Sequence, residues 1–253
     1  MNIRILGSGT SQGVPVIGCD CPACSSDDPR DDRQRASVLF STERANVLID
    51  VGPDFRRQML AAQMRSIDAI LLTHEHNDHV IGLDDIRPFN YRTGRPMRVY
   101  ALPRVAAQVR ARFEYVFAEP IPGLPRIELI EIESDAIIQI EDMRFEAVRV
   151  MHGPLPILGF RCGPAAYLTD VKHIPEAEMS KLKGLRALIL SALHHGSHPT
   201  HLNLSEALDL AEHIGATHTW LTHISHQMGP YRDVSPTLPP SVSLAFDGLQ
   251  ITT

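Results

Sequence analysis

The chain has few aromatic side chains and no excess of positive charge. Phe, Trp and Tyr make up 6% of its 253 residues, with a single Trp, and the formal net charge at pH 7 is -6. Proteins that bind nucleic acid usually present a basic surface, so this balance argues against a nucleic-acid partner. A chain of this length can bury one sizeable core, and no linker or internal repeat divides it. We therefore expect a single domain over residues 1–253.

Long apolar runs are also absent. No segment is long enough to cross a bilayer, and the residues that follow Met1 lack the apolar stretch of a signal peptide. These absences predict a cytoplasmic protein with no membrane partner. In that reducing compartment, cysteines hold metals more often than they form disulfides.

Only four cysteines are present, and three of them are Cys19, Cys21 and Cys24. A Cys-x-Cys-x-x-Cys run of this kind favours zinc bound as thiolates, and a closed zinc site needs four ligands. The remaining cysteine, Cys162, lies in a predicted strand and is expected to be a core thiol. The fourth ligand is therefore expected to be a histidine from elsewhere in the chain.

Histidine, in contrast, is abundant, and its richest segment is Thr-His-Glu-His-Asn-Asp-His at residues 73–79. The apolar run 67–72 before it predicts a buried strand. Functional residues concentrate on loops that a rigid scaffold holds in place. Imidazole and carboxylate side chains together suit zinc, manganese or iron. The sequence therefore predicts metal ligands at His74, His76, Asp78 and His79.

Several other predicted strands end in the same residue types, before His152, Asp170, the loop 194–201 and His223. Sites in α/β sheets form at one edge, from loops at strand ends, so we expect these residues to meet.

The remaining segments predict ordinary elements of a mixed α/β domain. Helices are predicted at 54–64, 105–117 and 204–214, the last capped by Asn203 or Ser205. The segments 243–246 and 249–251 flank Asp-Gly and predict a closing hairpin.

The order His-x-His-x-Asp-His, then a distant His, a distant Asp and a last His, resembles the metallo-β-lactamase superfamily over essentially the whole chain. The Cys-x-Cys-x-x-Cys run and Thr-His-Ile-Ser-His at 222–226 resemble its phosphodiesterase branch, the cyclic-phosphate diesterases of the PhnP type. The resemblance implies an α/β fold, a four-layer αββα sandwich with a pair of metal ions at its edge.

The resemblance also implies how two active-site ions, Mn²⁺ or Zn²⁺, would be held. The first would be bound by His74, His76 and His152, the second by Asp78, His79 and His223, with Asp170 shared between them. A hydroxide bridging both ions would attack the phosphorus atom of a small, cyclic or nucleotide-like phosphodiester.

The same resemblance supplies the missing ligand of a structural Zn²⁺, His226, beside Cys19, Cys21 and Cys24. This zinc would hold an N-terminal loop at about 13–26 against the loop of His223. A closed site of four protein ligands has no open position and should do no chemistry.

The predicted catalytic residues are Asp78 and a histidine that protonates the leaving group. In the related diesterases that histidine lies between the bridging Asp and the last ligand, and His201 fits the position best. His194, His195 and His198 remain alternatives.

Other readings stay open for the surroundings and the function. Arg87 is a candidate phosphate contact, or part of an ordinary charged helix start. Other hydrolases share the metal motif, namely the tRNA 3′-processing nucleases and the thioester or lactone hydrolases. The nucleases carry a basic arm that has no counterpart here. A non-catalytic metal-binding protein is the remaining alternative. The oligomeric state is open, with a homodimer as one option.

Overall fold

The structure is a computed structural model that describes residues 1–118 and 122–253. The strands in these residues are β1 (Asn2–Gly7), β2 (Ser37–Ser41), β3 (Asn46–Ile49), β4 (Ala69–Leu71), β5 (Met97–Ala101), β6 (Ile127–Glu131), β7 (Ile137–Ile140), β8 (Met143–His152), β9 (Leu155–Cys162), β10 (Ala165–Leu168), β11 (Ala187–Ser191), β12 (His218–Thr222), β13 (Val242–Leu244) and β14 (Gln250–Thr252). The α-helices are α1 (Phe55–Ala61), α2 (Asn77–Val80), α3 (Arg87–Thr93), α4 (Pro103–Arg112), α5 (Glu114–Phe117), α6 (Glu176–Met179), α7 (Leu204–Ile214) and α8 (Tyr231–Val234). None of these helices is long and apolar enough to cross a membrane.

The strands form two mixed sheets of seven strands each. The first has the order β14-β1-β2-β3-β4-β5-β6 and the second β13-β12-β11-β10-β9-β8-β7. In the first sheet β3, β4, β5 and β6 are parallel, and in the second β10, β11, β12 and β13 are parallel. Within each parallel set, the loops that follow the strands emerge at one edge.

Three apolar cores separate four layers. Phe40 of β2 and Phe145 of β8 pack edge to face between the sheets, with ring centroids 5.5 Å apart. The outer face of the first sheet, including Leu48, packs against α1 and α4. The outer face of the second, including Leu188, packs against α7. The αββα sandwich implied by the resemblance is therefore confirmed.

Strand β4, which precedes the histidine-rich segment, is buried on both faces. Ala69 and Leu71 belong to the core between the sheets, whereas Ile70 belongs to the outer core. Successive side chains of a strand point to opposite faces, so a strand between two cores has to be continuously apolar. The strand that precedes segment 73–79 is therefore held by apolar packing on both faces.

The structure departs from the predicted helices at two points and settles an alternative at a third. The helix predicted at 54–64 ends at Ala61, and Gln63 beyond it has a φ of 54°, outside helical geometry. The helix predicted at 105–117 is divided into α4 and α5 because Phe113 leaves helical geometry, with φ -115° and ψ 39°. The Phe113 side chain is buried in the outer core. Of the two candidate caps of α7, the structure uses Asn203. Its side chain accepts from the Glu206 N–H at 2.9 Å, and the Glu206 carboxylate accepts from the Asn203 N–H at 2.9 Å, a capping box.

The predicted closing hairpin is wrong. Strand β13 pairs in parallel with β12 of the second sheet, whereas β14 pairs antiparallel with β1 of the first. Asp247, between them, accepts hydrogen bonds from Ser8 N–H and O–H, both at 2.8 Å, and from the Gln34 N–H at 2.7 Å. These bonds hold the Asp-Gly segment against the start of the chain, so it carries the backbone from one sheet to the other.

Candidate metal centre

The predicted ligands lie where strands end. The loop after β4 leads into α2, which carries Asp78 and His79. In the second sheet His152 is the last residue of β8, Asp170 lies two residues beyond β10, and His223 directly follows β12. Because β10, β11 and β12 are parallel, Asp170 and His223 emerge at the same edge.

Three residues at the ends of strands near the cluster have a left-handed backbone, which glycine adopts most readily and aspartate more often than most other residues. The φ angles of Asp50, Asp170 and His223 are 64°, 56° and 57°. Left-handed backbone is unfavourable for other residue types and concentrates at functional sites, where the surrounding structure holds it in place. In each case the chain turns sharply after a strand and directs the side chain into the cluster.

The first group is the predicted ligand set of the first ion, His74, His76 and His152; their rings are neighbours, but the ligand atoms of His152 cluster within 4.8 Å with those of Asp170 and His201 rather than with the other two. His74 Nε2 lies 2.9 Å from His76 Nδ1, and the ring of His152 lies with its centroid 5.7 Å from that of His74 and 5.2 Å from that of His76. His152 Nδ1 donates to the backbone oxygens of Asp170 and Thr200, each at 3.0 Å. These bonds assign the proton to Nδ1 and leave the Nε2 lone pair of His152 free for a ligand.

Asp78, His79 and His223 form the second group, and their ligand atoms lie within 4.8 Å of one another. His79 Nε2 is 3.2 Å from an Asp78 oxygen and His223 Nε2 is 3.9 Å from it. Asp170 contacts the same two histidines, with its carboxylate oxygens 3.3 Å from His79 Nε2 and 3.2 Å from His223 Nε2. The Asp170 carboxylate also forms a potential metal-binding group with His74 and His79, so it lies between the two groups.

Buried nitrogen atoms in the cluster lack partners. Within residues 1–118 and 122–253, neither His79 Nε2 nor either ring nitrogen of His223 makes a hydrogen bond of acceptable geometry, although carboxylate oxygens lie 3.2–3.3 Å from both Nε2 atoms. An unpaired buried polar atom costs about 1–3 kcal/mol, so such atoms require explanation. Lone pairs directed at a cation provide one, and the donor set of imidazoles and carboxylates fits a divalent metal ion.

The charges of the cluster also favour a bound cation. Burial lowers the pKa of His79, but the carboxylates of Asp170, Asp50 and Asp78 outweigh burial and raise it well above its ordinary value. Burial also tends to raise the pKa of Asp78 and of Asp170, yet the neighbouring histidines hold both pKa values well below the usual range. The carboxylates of Asp78 and Asp170 thus draw positive charge into a buried site, which is the charge a bound cation would supply, whereas burial raises the pKa of Asp50.

Asp50 is the member of the cluster that sequence reasoning missed. Its Oδ2 lies 2.7 Å from His79 Nδ1, and its Oδ1 accepts from the Thr73 N–H at 2.9 Å. A carboxylate on the far nitrogen of a ligating histidine fixes the tautomer and orients the ring. The sequence feature that could have identified Asp50 is a carboxylate directly after a buried strand, the same pattern that predicted other residues of the cluster.

Among the candidate proton donors, His201 belongs to the cluster itself, because its ligand atom lies within 4.8 Å of those of His152 and Asp170 and its Nδ1 is buried without a hydrogen-bond partner in the described residues. Its ring stacks on that of His223 with centroids 4.9 Å apart, and its Nδ1 lies 3.8 Å from an Asp170 oxygen. The other three histidines of the loop lie further out or are engaged. His198 Nδ1 accepts from the Thr200 N–H at 3.3 Å, and His195 Nε2 donates to the Met228 carbonyl at 3.0 Å. The ring centroid of His194 lies 6.0 Å from that of His198.

Arg87, the candidate phosphate contact, is engaged elsewhere. Its guanidinium pairs with the Asp84 carboxylate, and its Nε donates to the Asp84 carbonyl at 3.0 Å. These contacts favour the alternative reading of Arg87 as part of a charged helix start.

The three N-terminal cysteines and His226 form a separate cluster whose ligand atoms lie within 4.8 Å of one another. His226 Nδ1 is 3.2 Å from Cys19 Sγ and 3.4 Å from Cys21 Sγ. The Cys24 backbone N–H lowers the pKa of Cys21 to about 6, whereas burial raises the pKa of Cys24 to about 11. Cys162 is buried in the core between the sheets, as predicted, and burial raises its pKa to about 11.

Comparison with known proteins agrees with this geometry. The sequence profile described as the β-lactamase superfamily domain matches residues 45–224, which include the predicted ligands from His74 to His223. The chain belongs to the β-lactamase superfamily. One similar crystal structure is described as a new diphosphatase from the PhnP family. The match covers 99% of this chain and 96% of the other chain, with 42% sequence identity and a TM-score of 0.93. The resemblance to the PhnP branch of the superfamily is thereby confirmed, and the chain has the metallo-β-lactamase fold.

Two curated relatives extend the comparison. An octanoyltransferase of Porphyromonas gingivalis is 43% identical over 253 residues and 99% of this chain, yet the chain spans only 51% of that protein. A ribonuclease Z of Methanopyrus kandleri is 25% identical over 88% of this chain and 93% of its own length.

Proposed function

We propose that the protein is a metal-dependent phosphodiesterase that hydrolyses a small, cyclic or nucleotide-like phosphodiester. The observation that carries this proposal is the position of Asp170, whose carboxylate contacts His79 and His223 and groups with His74. An anion placed between two sets of histidines is what a pair of divalent ions requires. The 42% identical diphosphatase of the PhnP family supports chemistry at phosphorus.

The first ion would be held by His74, His76 and His152, the second by Asp78, His79 and His223, with Asp170 shared. When bound, Mn²⁺ or Zn²⁺ at these positions would supply Lewis acidity to the phosphoryl oxygens and activate the attacking water. Residues of the chain prepare the site: Asp50 orients the ring of His79, and the carbonyls of Asp170 and Thr200 orient that of His152.

We also propose a third ion, a structural Zn²⁺ held by Cys19, Cys21, Cys24 and His226. In this proposal the N-terminal loop at about 13–26 is held against the active-site loop.

We further propose that residues 1–253 form a single domain. The pairing of β14 with β1 in one sheet supports this.

We assign the proton donor for the leaving alkoxide to His201. Burial lowers the pKa of His201 to about 3, which leaves the ring neutral at pH 7 in the free protein. A phosphodiester anion beside the ring would oppose this effect, because opposite charge favours the protonated form. The proposed role therefore needs the substrate itself to raise the pKa of His201.

Replacing His201 by Gln is expected to lower kcat by about 10²–10⁴-fold on a cyclic phosphodiester, whose leaving group is an alkoxide. The loss should be much smaller on bis(p-nitrophenyl) phosphate, because p-nitrophenolate leaves without a proton. The two kcat values and the metal content, by elemental analysis, are the measurements. His198→Gln is the comparison, because His198 is an alternative donor: if His201 is the acid, His198→Gln should not show this substrate-dependent loss. Equal losses on both substrates, or no loss on the cyclic substrate, would exclude His201 as the acid.

The test of the function as a whole is a substrate panel on the metal-loaded protein. We expect turnover of bis(p-nitrophenyl) phosphate and of a small cyclic phosphodiester, with no turnover of a β-lactam or a thioester. A diphosphate diester belongs in the panel because the PhnP-family neighbour is described as a diphosphatase. Hydrolysis of the thioester or the β-lactam alone would contradict the proposal.

A nuclease resembling ribonuclease Z is the second candidate, supported by the Methanopyrus kandleri relative. The net charge of -6 and the lack of a Gly/Lys/Arg-rich insertion argue against it, because RNA binding depends on neutralising phosphates. Cleavage of precursor tRNA, with no turnover of the small diesters, would favour the nuclease.

A further inference from the structure

Helix α4 directs two arginines at the loop that carries His74 and His76. Arg104 Nη1 pairs with the Glu75 carboxylate, and Arg112 Nη1 donates to the Glu75 backbone carbonyl. Neither arginine belongs to the proposed ligand set. Both contacts converge on the residue between two proposed ligands, so α4 restrains the backbone and the side chain of the loop at that point.

Arg104 also contacts the strand beside His152. Its Nη2 donates to the Pro156 carbonyl of β9 at 2.8 Å. Pro156 adjoins Leu155, and Leu155 pairs with His152 in the register of β8 and β9. A single guanidinium therefore joins the two segments of chain that carry the three histidines of the first group.

Packing alone does not provide this restraint. His74 is fully buried, whereas His76 is exposed, so the core fixes one ring and not the other. Between them, the Glu75 side chain is only 15% exposed, and its Oε2 is buried without a hydrogen-bond partner in the described parts of the chain. Without Arg104 this mostly buried carboxylate would lose its cation, which is strongly unfavourable, and the loop would rearrange.

We propose that Arg104 is a positioning residue: by holding Glu75 against β9, it sets His76 relative to His152 before an ion binds. The inference rests on the proposed metal site but on no particular substrate. Partners that orient metal ligands typically contribute about 10–100-fold to metal affinity.

The test measures metal affinity rather than turnover. Zn²⁺ is titrated into the metal-depleted full chain against a chromophoric chelator, for wild type and for Arg104→Gln. We expect one of the two active-site affinities to weaken about 10–100-fold in Arg104→Gln. Arg104→Lys should recover part of it, since an ammonium can pair with Glu75 but cannot reach Glu75 and Pro156 as a fork. The Co²⁺-loaded Arg104→Gln protein should also show altered visible absorption bands.

The matched control is Arg110→Gln, on the same helix. Arg110 also pairs with a carboxylate, Glu131, at 2.7 Å, but both side chains are exposed and neither contacts the histidine loop. Arg110→Gln should bind both ions as wild type does. Equal affinities in Arg104→Gln and Arg110→Gln would overturn the positioning role alone. A wild-type chain that binds no active-site ions would overturn both this role and the proposed function.

Discussion

Replacing Asp170 by Asn is expected to abolish turnover and to release at least one active-site ion. The amide keeps the size of the side chain but removes the charge that His79 and His223 contact at 3.3 and 3.2 Å. Loss of a single hydrogen-bond donor to a transition state costs about 10²–10³-fold in kcat. Loss of a ligand shared by two ions should exceed this, so we expect a decrease of about 10³-fold or more. Elemental analysis and kcat on bis(p-nitrophenyl) phosphate measure the two effects.

The control for this variant is Asp142→Asn. Asp142 directly precedes β8, at the opposite end of that strand from His152, and its carboxylate accepts an exposed hydrogen bond from Thr42. It should retain full metal content and turnover. An Asp170→Asn protein that keeps both active-site ions would show that Asp170 does not bridge them.

The second large effect is expected from Cys21→Ser, which removes one ligand of the proposed structural zinc. Zinc content should fall from three ions per chain to two in a protein otherwise loaded with zinc. Loss of a structural metal is among the few changes that cost more than about 4 kcal/mol, so we expect a free energy of unfolding lower by about that amount. Because His226 lies three residues after His223, turnover should also fall as the His223 loop loosens.

Cys162→Ala provides the comparison for Cys21→Ser. It removes a buried thiol from the core between the sheets and touches no proposed ligand. It should retain three ions per chain, with a modest loss of stability from the small cavity. If Cys21→Ser and the wild type bind equal amounts of zinc, the four-residue cluster is not a zinc site.

The sequence was most informative where the signal is local. Residues 73–79 contain four candidate ligands directly after one buried strand in the sequence, and the structure brings all four into one cluster. The cap of α7 could be narrowed to Asn203 or Ser205 because capping depends on neighbouring residues, and the structure uses Asn203. His152, Asp170 and His223 could be assigned as ligands only from the order of ligands in the family that the chain resembles. The residues next to each of them do not indicate which distant residues it will contact.

The failures of prediction concern pairing between distant segments. Residues 243–251 have the alternating pattern of a hairpin, but their partners are β12 and β1, and pattern alone does not identify the partner of a strand. Asp50 was overlooked because a lone aspartate after a strand resembles many turn residues. Only the fold shows that its carboxylate lies against His79.

The central claim is that residues separated by up to 149 positions, from His74 to His223, hold a pair of ions. Anomalous diffraction from a crystal of the metal-loaded protein tests it most directly. We predict two peaks about 3.5–4 Å apart on either side of the Asp170 carboxylate, and a third among Cys19, Cys21, Cys24 and His226. A single active-site peak, or peaks that Asp170 does not contact, would contradict the account.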